Sequence, residues 1–294
     1  MFLQVIDVNG TAGTNTYLIG CGYQRLLIDT GSGLPTWRSL LQSVLKEEKA
    51  TVHQALITHW HPDHVNGIAD LLQTCPEATV HKHHPDDGQF EIEDGQVFHV
   101  EGATLRAFYT PGHTVDHMAF IHEEEDAVFT GDGKFLSASA YHIVRCLSSL
   151  YSAVLGHGTT VFEDLSIYLS SLQNMKGCVS GRAYPGHGAV IENATAKIAE
   201  YIKHRQQRED EVVRVLRIGR LDVSQDEGQA SLERKQTWTL IDLVKVIYRD
   251  VPESLHKAAS RGVTQVLMKL EKEGKVKQDR TTERWSLSGL NSSL

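Results

Sequence analysis

Four side chains of the kinds that bind metal ions lie within six consecutive residues, and they are His59, His61, Asp63 and His64. On an extended chain alternate side chains share one face, so His59 and His61 can bind the same ion. A turn at Pro62 would direct Asp63 and His64 to a second ion beside the first. Nitrogen and oxygen ligands without a thiolate suit Zn²⁺, although ligand type alone leaves Mn²⁺ and Fe²⁺ open. The spacing therefore predicts a site for two metal ions.

Such a site needs further ligands, and three candidates each follow a predicted strand. His113 lies in a Thr-Pro-Gly-His turn after residues 104–109, and His187 lies in a second Pro-Gly-His turn after residues 179–183. Asp132 follows the apolar run 127–130. Each could be an ordinary β-turn, because Pro-Gly is common in turns. Together with the first motif they predict one shared site. His81, His83 and His84 lie in a polar run that we interpret as a solvated loop.

The elements that must position these residues follow from hydrophobic periodicity. Strands are predicted at 2–8, 16–19, 25–29, 55–58, 79–81, 96–100, 104–109, 118–122 and 127–130. Helices are predicted at 35–48, 67–74, 162–175 and 194–216, the first with Pro35 near its start. This alternation indicates a layered α/β domain.

The carboxyl-terminal part of the chain has a different character. Residues 221–236 are polar and are predicted to be a linker between a domain at 1–220 and a second domain at 237–294. Three helical stretches, at 239–248, 252–260 and 263–273, precede a short hairpin at 275–277 and 284–287. This order indicates a small winged-helix-like domain.

Composition restricts the classes of protein that the chain can represent. The net charge is −8, which disfavours binding of polyanions at long range but leaves a local basic patch open. The four cysteines form no Cys-x-x-Cys pair, so neither a disulfide framework nor a thiolate metal site is indicated. No apolar run is long enough to span a bilayer, and the first residues lack the pattern of a signal or transit peptide. We therefore expect a cytoplasmic protein without a membrane partner.

The metal motifs resemble those of the metallo-β-lactamase superfamily, which implies an αββα sandwich with two metal ions, here expected to be Zn²⁺. The resemblance implies that His59, His61 and His113 bind the first ion, that Asp63, His64 and His187 bind the second, and that Asp132 bridges them. It also implies that Asp29 supports the loop. Asp63 lies beside the water that the ions would activate, so we expect it to act as the catalytic proton acceptor. Gly-x-Ser-x-Gly is absent, and the reaction class is hydrolysis.

The whole chain looks similar to the β-lactamase-like-protein-2 branch, notably at Gly13-Thr14-Asn15-Thr16-Tyr17 and Gly181-Arg182-Ala183-Tyr184-Pro185. That branch implies two enzyme classes. One is the fungal polyketide acyl-carrier-protein thioesterases of the atrochrysone carboxyl type, in secondary metabolism, whose partners are the acyl-carrier domain of a non-reducing polyketide synthase and the released acyl product. The other is an endoribonuclease specific for single-stranded RNA, the only alternative with a nucleic-acid partner. The details of the motifs favour the thioesterases. A non-catalytic interaction protein is a third alternative, and the complete ligand set argues against it.

The chain departs from this family at the N-terminus, where part of the usual Asn-Pro-Gly loop is missing, and at an insertion after Asp132. Residues 133–154 separate Asp132 from Leu155-Gly156-His157-Gly158, which the family has close together. The insertion is either a genuine lid over the cleft or translated intron sequence, and we favour the second because Asp132 and Leu155 would otherwise join cleanly. A genuine insertion would put the position of Asp132 at risk.

Overall fold

The computed structural model describes residues 13–132, 163–226 and 229–289 of the 294-residue chain. The strand expected at 2–8 and the insertion at 133–154 therefore lie outside the described residues. Tertiary contacts divide the described chain into two units, residues 13–132 with 163–200, and residues 201–289.

The first unit contains two five-stranded sheets. The first sheet is ordered β1-β2-β3-β4-β5, and after its antiparallel β1–β2 pair all neighbours are parallel. Its strands are β1 Tyr17–Ile19, β2 Gln24–Ile28, β3 Thr51–Ile57, β4 Thr79–Lys82 and β5 Phe90–Glu91. Parallel pairing brings the carboxyl ends of β2, β3 and β4 to one edge of the sheet.

The second sheet is ordered β10-β9-β8-β7-β6, and only the β10–β9 pair is parallel. Its strands are β6 Val97–Val100, β7 Ala103–Tyr109, β8 Met118–His122, β9 Ala127–Gly131 and β10 Ala183–Pro185. The sequence had placed the last strand at 179–183. The parallel pair brings the residues that follow β9 and β10 to the same edge.

The two sheets pack face to face through a buried apolar core. Tyr17, Phe129 and Tyr184 form a cluster with ring centroids 4.9–5.8 Å apart, and Leu26, Ile28, Leu105 and Phe120 belong to the same core. Large aromatic side chains bury much area each and so contribute strongly to packing. The outer side of the first sheet packs on two helices, α1 Pro35–Glu47 and α3 Ile68–Thr74. The remaining helices that begin in this unit are α2 Pro62–Val65, α4 Leu165–Met175 and α5 Ala194–Ile218.

The second unit differs from the prediction at two places. Residues 221–236 were predicted to be a linker, but the chain forms an antiparallel pair there, β11 Arg220–Asp226 and β12 Gln229–Lys235. The helices predicted at 252–260 and 263–273 are one continuous helix, α7 His256–Lys272, preceded by a 3₁₀ turn at Glu253–Leu255. The other elements are α6 Leu240–Ile247, β13 Val276–Asp279 and β14 Arg284–Leu287. The exact domain boundaries remain a prediction.

Among the described residues, no helix has both the length and the apolar character that crossing a membrane requires.

Candidate metal centre

The loop after β3 brings two of the predicted ligands into contact with a third from the second sheet. His59 Nε2 lies 2.9 Å from His61 Nδ1 and 3.2 Å from His113 Nε2, and the last two atoms are 3.1 Å apart. Three ring nitrogens at such distances cannot all donate to one another. Zn–N bonds of ~2.0–2.1 Å at a tetrahedral angle place two nitrogens about 3.3 Å apart, so this set fits a single cation.

The remaining predicted ligands form a second group beside the first. His187 Nε2 lies 3.2 Å from Asp63 Oδ2, and His64 Nε2 lies 3.6 Å from the same oxygen. His59, His61, His113 and Asp132 can offer ligand atoms all within 4.8 Å of one another, as can Asp63, His64 and His187. The structure thus assembles all seven residues that the sequence singled out.

Asp132 lies between the two groups and directs one oxygen to each. Its Oδ2 is 3.6 Å from His113 Nε2, whereas its Oδ1 is 3.0 Å from His187 Nε2 and 3.4 Å from His64 Nε2. Within the described chain, Asp132 Oδ1 and His64 Nε2 are buried without a hydrogen bond of acceptable geometry. Buried polar atoms are rarely left in that state, and a cation between them would satisfy both. The arrangement suits the predicted bridging role, and the assignment of ligands remains a proposal.

The strand pairing explains why these residues meet. Asp132 follows β9 and His187 follows β10, and because these strands are parallel both residues emerge at the same edge. Gly186 N–H donates to Gly131 O at 2.8 Å, and a Cβ on Gly186 would lie 3.0 Å from Asp132 Oδ1. A side chain at this position would push Asp132 or Gly131 away by a few tenths of an ångström, so glycine suits this close turn.

A second set of residues orients the imidazoles. Asp29 accepts hydrogen bonds from Thr58 N–H at 2.8 Å and from Thr58 Oγ1 at 2.9 Å, and its Oδ2 lies 2.7 Å from His64 Nδ1. His59 Nδ1 lies 2.9 Å from Thr58 Oγ1. Because that hydroxyl donates to Asp29, it accepts from His59 Nδ1, and His64 Nδ1 donates directly to the Asp29 carboxylate. With the proton on Nδ1 of both histidines, each Nε2 lone pair is left for a cation. The supporting role predicted for Asp29 is confirmed.

The charges around the site favour a cation. Burial alone would raise the pKa of the Asp132 carboxyl, but His187 and His64 outweigh it and hold that pKa well below its usual range. Burial lowers the pKa of His59, and the neighbouring His64 lowers it further. Burial would also lower the pKa of His187, yet the carboxylates of Asp132 and Asp63 raise it to about 9. Ionised carboxylates and a neutral His59 are the forms that bind metals, whereas His187 and His64, whose pKa values are raised by neighbouring carboxylates despite burial, would release a proton when a cation binds.

Two features of the site were not predicted. Thr14 Oγ1 donates to Asp63 Oδ2 at 2.9 Å, and Thr14 forms a β-bridge with His187. His81 was expected in a solvated loop, but it is buried in β4, where its ring stacks on Phe90 at 5.2 Å. The strand at 79–81 was predicted, but the short edge strand β5, which pairs with β4 and carries Phe90, was not.

Residues 9–187 match the metallo-beta-lactamase superfamily, and residues 239–285 match the beta-lactamase associated winged helix domain. The chain belongs to the metallo-beta-lactamase superfamily. It is therefore a metal-dependent hydrolase with an α/β metallo-beta-lactamase domain and a winged-helix domain, as the sequence predicted. Membership implies binding of a divalent metal, which the two clusters fit.

Fungal relatives are similar to this superfamily member over most of its length. Lactamase-like protein nscB of Aspergillus fumigatus is 44% identical over 90% of this chain and 74% of that protein. The atrochrysone carboxyl ACP thioesterase of Aspergillus chevalieri is 43% identical over 94% of this chain and 82% of that protein. The predicted resemblance to fungal thioesterases is thereby confirmed.

A solved structure shows the same fold. A metallo-beta-lactamase family protein of Thermus thermophilus covers 98% of this chain and 98% of its own, with a TM-score of 0.69 at 20% identity. This likeness extends over both units and supports the fold alone.

Proposed function

We propose that this hydrolase is a zinc-dependent thioesterase that releases an aromatic polyketide as the free acid from the acyl-carrier domain of a polyketide synthase. One observation carries the proposal. All seven predicted ligands are present and assembled in a chain 43% identical to a protein named an acyl-carrier-protein thioesterase. The proposed place of action is the cytoplasm.

The seven ligand residues would hold two cations. His59, His61 and His113 would hold one cation, Asp63, His64 and His187 the other, with Asp132 between them. Divalent cations in such a site lower the pKa of water and stabilise the negative charge that develops on the acyl oxygen. The oxygen of water bonds to the acyl carbon, and the bond from that carbon to sulfur breaks.

Asp63 is placed to move the proton in this reaction. Its side chain is 40% exposed, so it can reach both solvent and substrate, and Thr14 fixes one oxygen. Partial burial would raise its pKa, but His187, His64 and the hydroxyl of Thr14 hold the pKa well below its usual range. Asp63 is therefore ionised near neutral pH. It can accept the proton of water and return it to the departing sulfur.

The test compares two substrates with one preparation of known metal content. We expect the purified protein to contain close to two divalent ions per chain and to hydrolyse an aromatic acyl thioester on a carrier domain. His61→Ala should abolish hydrolysis, and His99→Ala, which replaces an exposed histidine on β6, should not. Cleavage of single-stranded RNA with no thioester hydrolysis would show that the endoribonuclease alternative is correct. A protein that purifies without metal and cannot be loaded would contradict both.

A further inference from the structure

Trp60 is the only exposed residue among the four tryptophans of the chain. Its exposed fraction is 48%, whereas Trp37, Trp238 and Trp285 are 2–5% exposed. It lies between His59 and His61 in the metal-binding loop, and its ring contacts that of His61 edge-on with centroids 4.6 Å apart. Large aromatic side chains at the surface of a functional cleft frequently mark a binding surface.

Val115 is a second exposed apolar residue beside the site. It is 56% exposed and lies two residues after His113, whose Nε2 is 3.1 Å from His61 Nδ1. Trp60 adjoins His61 in the sequence and Val115 lies two residues after His113, and the ring nitrogens of these two histidines are in contact. We call these two side chains the apolar rim.

Fixed backbone contacts keep Val115 exposed. Tyr109 Oη donates to Val115 O at 2.7 Å. On the other side, Thr114 Oγ1 donates to Asp116 Oδ1 at 2.7 Å, and Asp116 Oδ2 forms a buried ion pair with Lys82 at 3.4 Å. The loop is therefore held in place on both sides of Val115, whose side chain is exposed to solvent.

We propose that the apolar rim binds the ring system of an aromatic acyl group, and that Trp60 sets the preference for aromatic over straight-chain acyl groups. The proposal rests on the proposed function. A flat indole ring pairs with a second aromatic ring better than with a flexible chain, because ring pairs gain about 0.5–1.5 kcal/mol beyond their buried area. An acyl group held on the rim would place its thioester beside His61 and His113.

Two measurements on the full-length, metal-loaded protein test this assignment. The first is kcat/KM for the naphthoyl and hexanoyl thioesters of N-acetylcysteamine. The second is binding of naphthoic acid to the same protein, measured by isothermal titration calorimetry, which does not depend on the fluorescence of Trp60. Trp60→Ala is compared with Trp60→Phe, which keeps a ring. Tyr23→Ala removes another exposed aromatic side chain, at the opposite end of the first sheet.

We expect Trp60→Ala to lower the naphthoyl-to-hexanoyl ratio of kcat/KM by about three- to tenfold, with Trp60→Phe retaining most of the ratio. Val115→Asp should lower it also, and Tyr23→Ala should not. Naphthoic acid should bind Trp60→Ala several-fold more weakly than the wild type. An unchanged ratio, with both substrates slowed equally, would mean that Trp60 only shields His61 and would overturn the proposal.

Failure of the proposed function gives a different result. If the metal-loaded protein hydrolyses neither thioester, the thioesterase proposal fails. The binding measurement still tests whether the apolar rim binds an aromatic ring. Naphthoic acid binding that depends on Trp60 would then support an aromatic-binding rim on another hydrolase. Binding that is absent, or equal in Trp60→Ala, would overturn it.

Discussion

Asp29 shows how a single residue supports the metal site from behind. It has φ +58° at the end of β2, a conformation that asparagine and aspartate tolerate better than most residues. Its carboxylate accepts from Thr58 N–H and faces His64 Nδ1, so it fixes the backbone of the loop and the orientation of an imidazole.

Two substitutions at Asp29 separate these roles. Asp29→Asn tolerates the backbone conformation and keeps an acceptor for Thr58, but its amide cannot accept from both Thr58 and His64. We expect it to fold with metal affinity reduced roughly 10–100-fold, the usual effect of removing a residue that orients a ligand. Asp29→Ala should also lose about 2–4 kcal/mol of unfolding free energy, because Thr58 N–H is left buried and the backbone is strained. Metal titration measures the affinity, and urea unfolding measures the free energy of unfolding. Equal metal affinity in the asparagine variant and the wild type would contradict the role of Asp29 in orienting His64.

At the scale of elements, the loop that carries His113 depends on close contact with α4. Gly112 has φ +124°, and a Cβ there would lie 2.4 Å from the backbone of Tyr168. Gly112 O accepts from the N–H groups of Glu163 and Asp164, and Asp164 caps α4 by accepting from Ser166 N–H and Ile167 N–H. The loop and the start of the helix are therefore fixed to each other.

We expect Gly112→Ala to lower the unfolding free energy by about 2–5 kcal/mol, because backbone strain and a clash with helix backbone add together. Gly95→Ala is the matched control. It also has a positive φ, of +79°, and nothing lies within 4 Å of the added Cβ, so only a backbone strain of about 1–2 kcal/mol remains. Equal losses in the two variants, measured by chemical denaturation, would show that the contact with α4 is unimportant.

A charged cluster in the second unit makes its stability depend on pH. Glu209 is buried in α5 and accepts from Lys269 at 2.5 Å and Lys275 at 3.2 Å, and both lysines also pair with Glu273. Hydrogen bonds from Lys269 and Lys275 lower the pKa of Glu273. Burial would lower the pKa of Lys269, but hydrogen bonds to Glu209 and Glu273 outweigh it and raise that pKa.

These directions predict the two ends of the pH profile. The contribution of Glu273 is complete above its unfolded pKa of ~4.3 and is lost as the pH falls through its lower folded value. That of Lys269 is complete below ~10.4 and is lost as the pH rises through its higher folded value. Glu273 is largely exposed, so Glu273→Gln should flatten the acid limb by less than about 1 kcal/mol. The test is to measure the unfolding free energies of the wild type and this variant from about pH 3 to neutrality. Parallel profiles would contradict the contribution of Glu273.

For the whole molecule, the sequence predicted the site better than it predicted the elements around it. The seven ligand types follow strand ends, and local turn signals mark such ends. The roles of Thr14 and Thr58 were not predicted, because no sequence motif marks a supporting hydroxyl. Each contact forms only when distant segments of the chain meet. The continuity of α7 through Gly262 was missed for a related reason. An internal glycine costs about 1 kcal/mol in a helix, but burial of Ala259, Val263 and Val266 on one face offsets that cost.

Metal removal should destabilise the whole first unit, because the two ligand groups draw on loops from both sheets. A ligand present at a thousandfold excess over its dissociation constant contributes about 4 kcal/mol. We therefore expect chelation to lower the thermal midpoint by roughly 5–15 °C and zinc to restore it. Parallel additions of Mn²⁺ and Fe²⁺ would identify the preferred ion. An unchanged midpoint after verified metal removal would mean that the site forms without help from the ion.

The parallel pairing of β10 with β9 also bears on how the protein is made. A ribosome delivers the chain from its amino end, so Asp132 emerges well before the turn that carries His187. The first proposed group of ligands is complete once Asp132 has emerged, whereas the second waits for His187. If two ions bind as proposed, the ligands of the first would all be available before those of the second, and a chain stalled between these residues would offer only the first group.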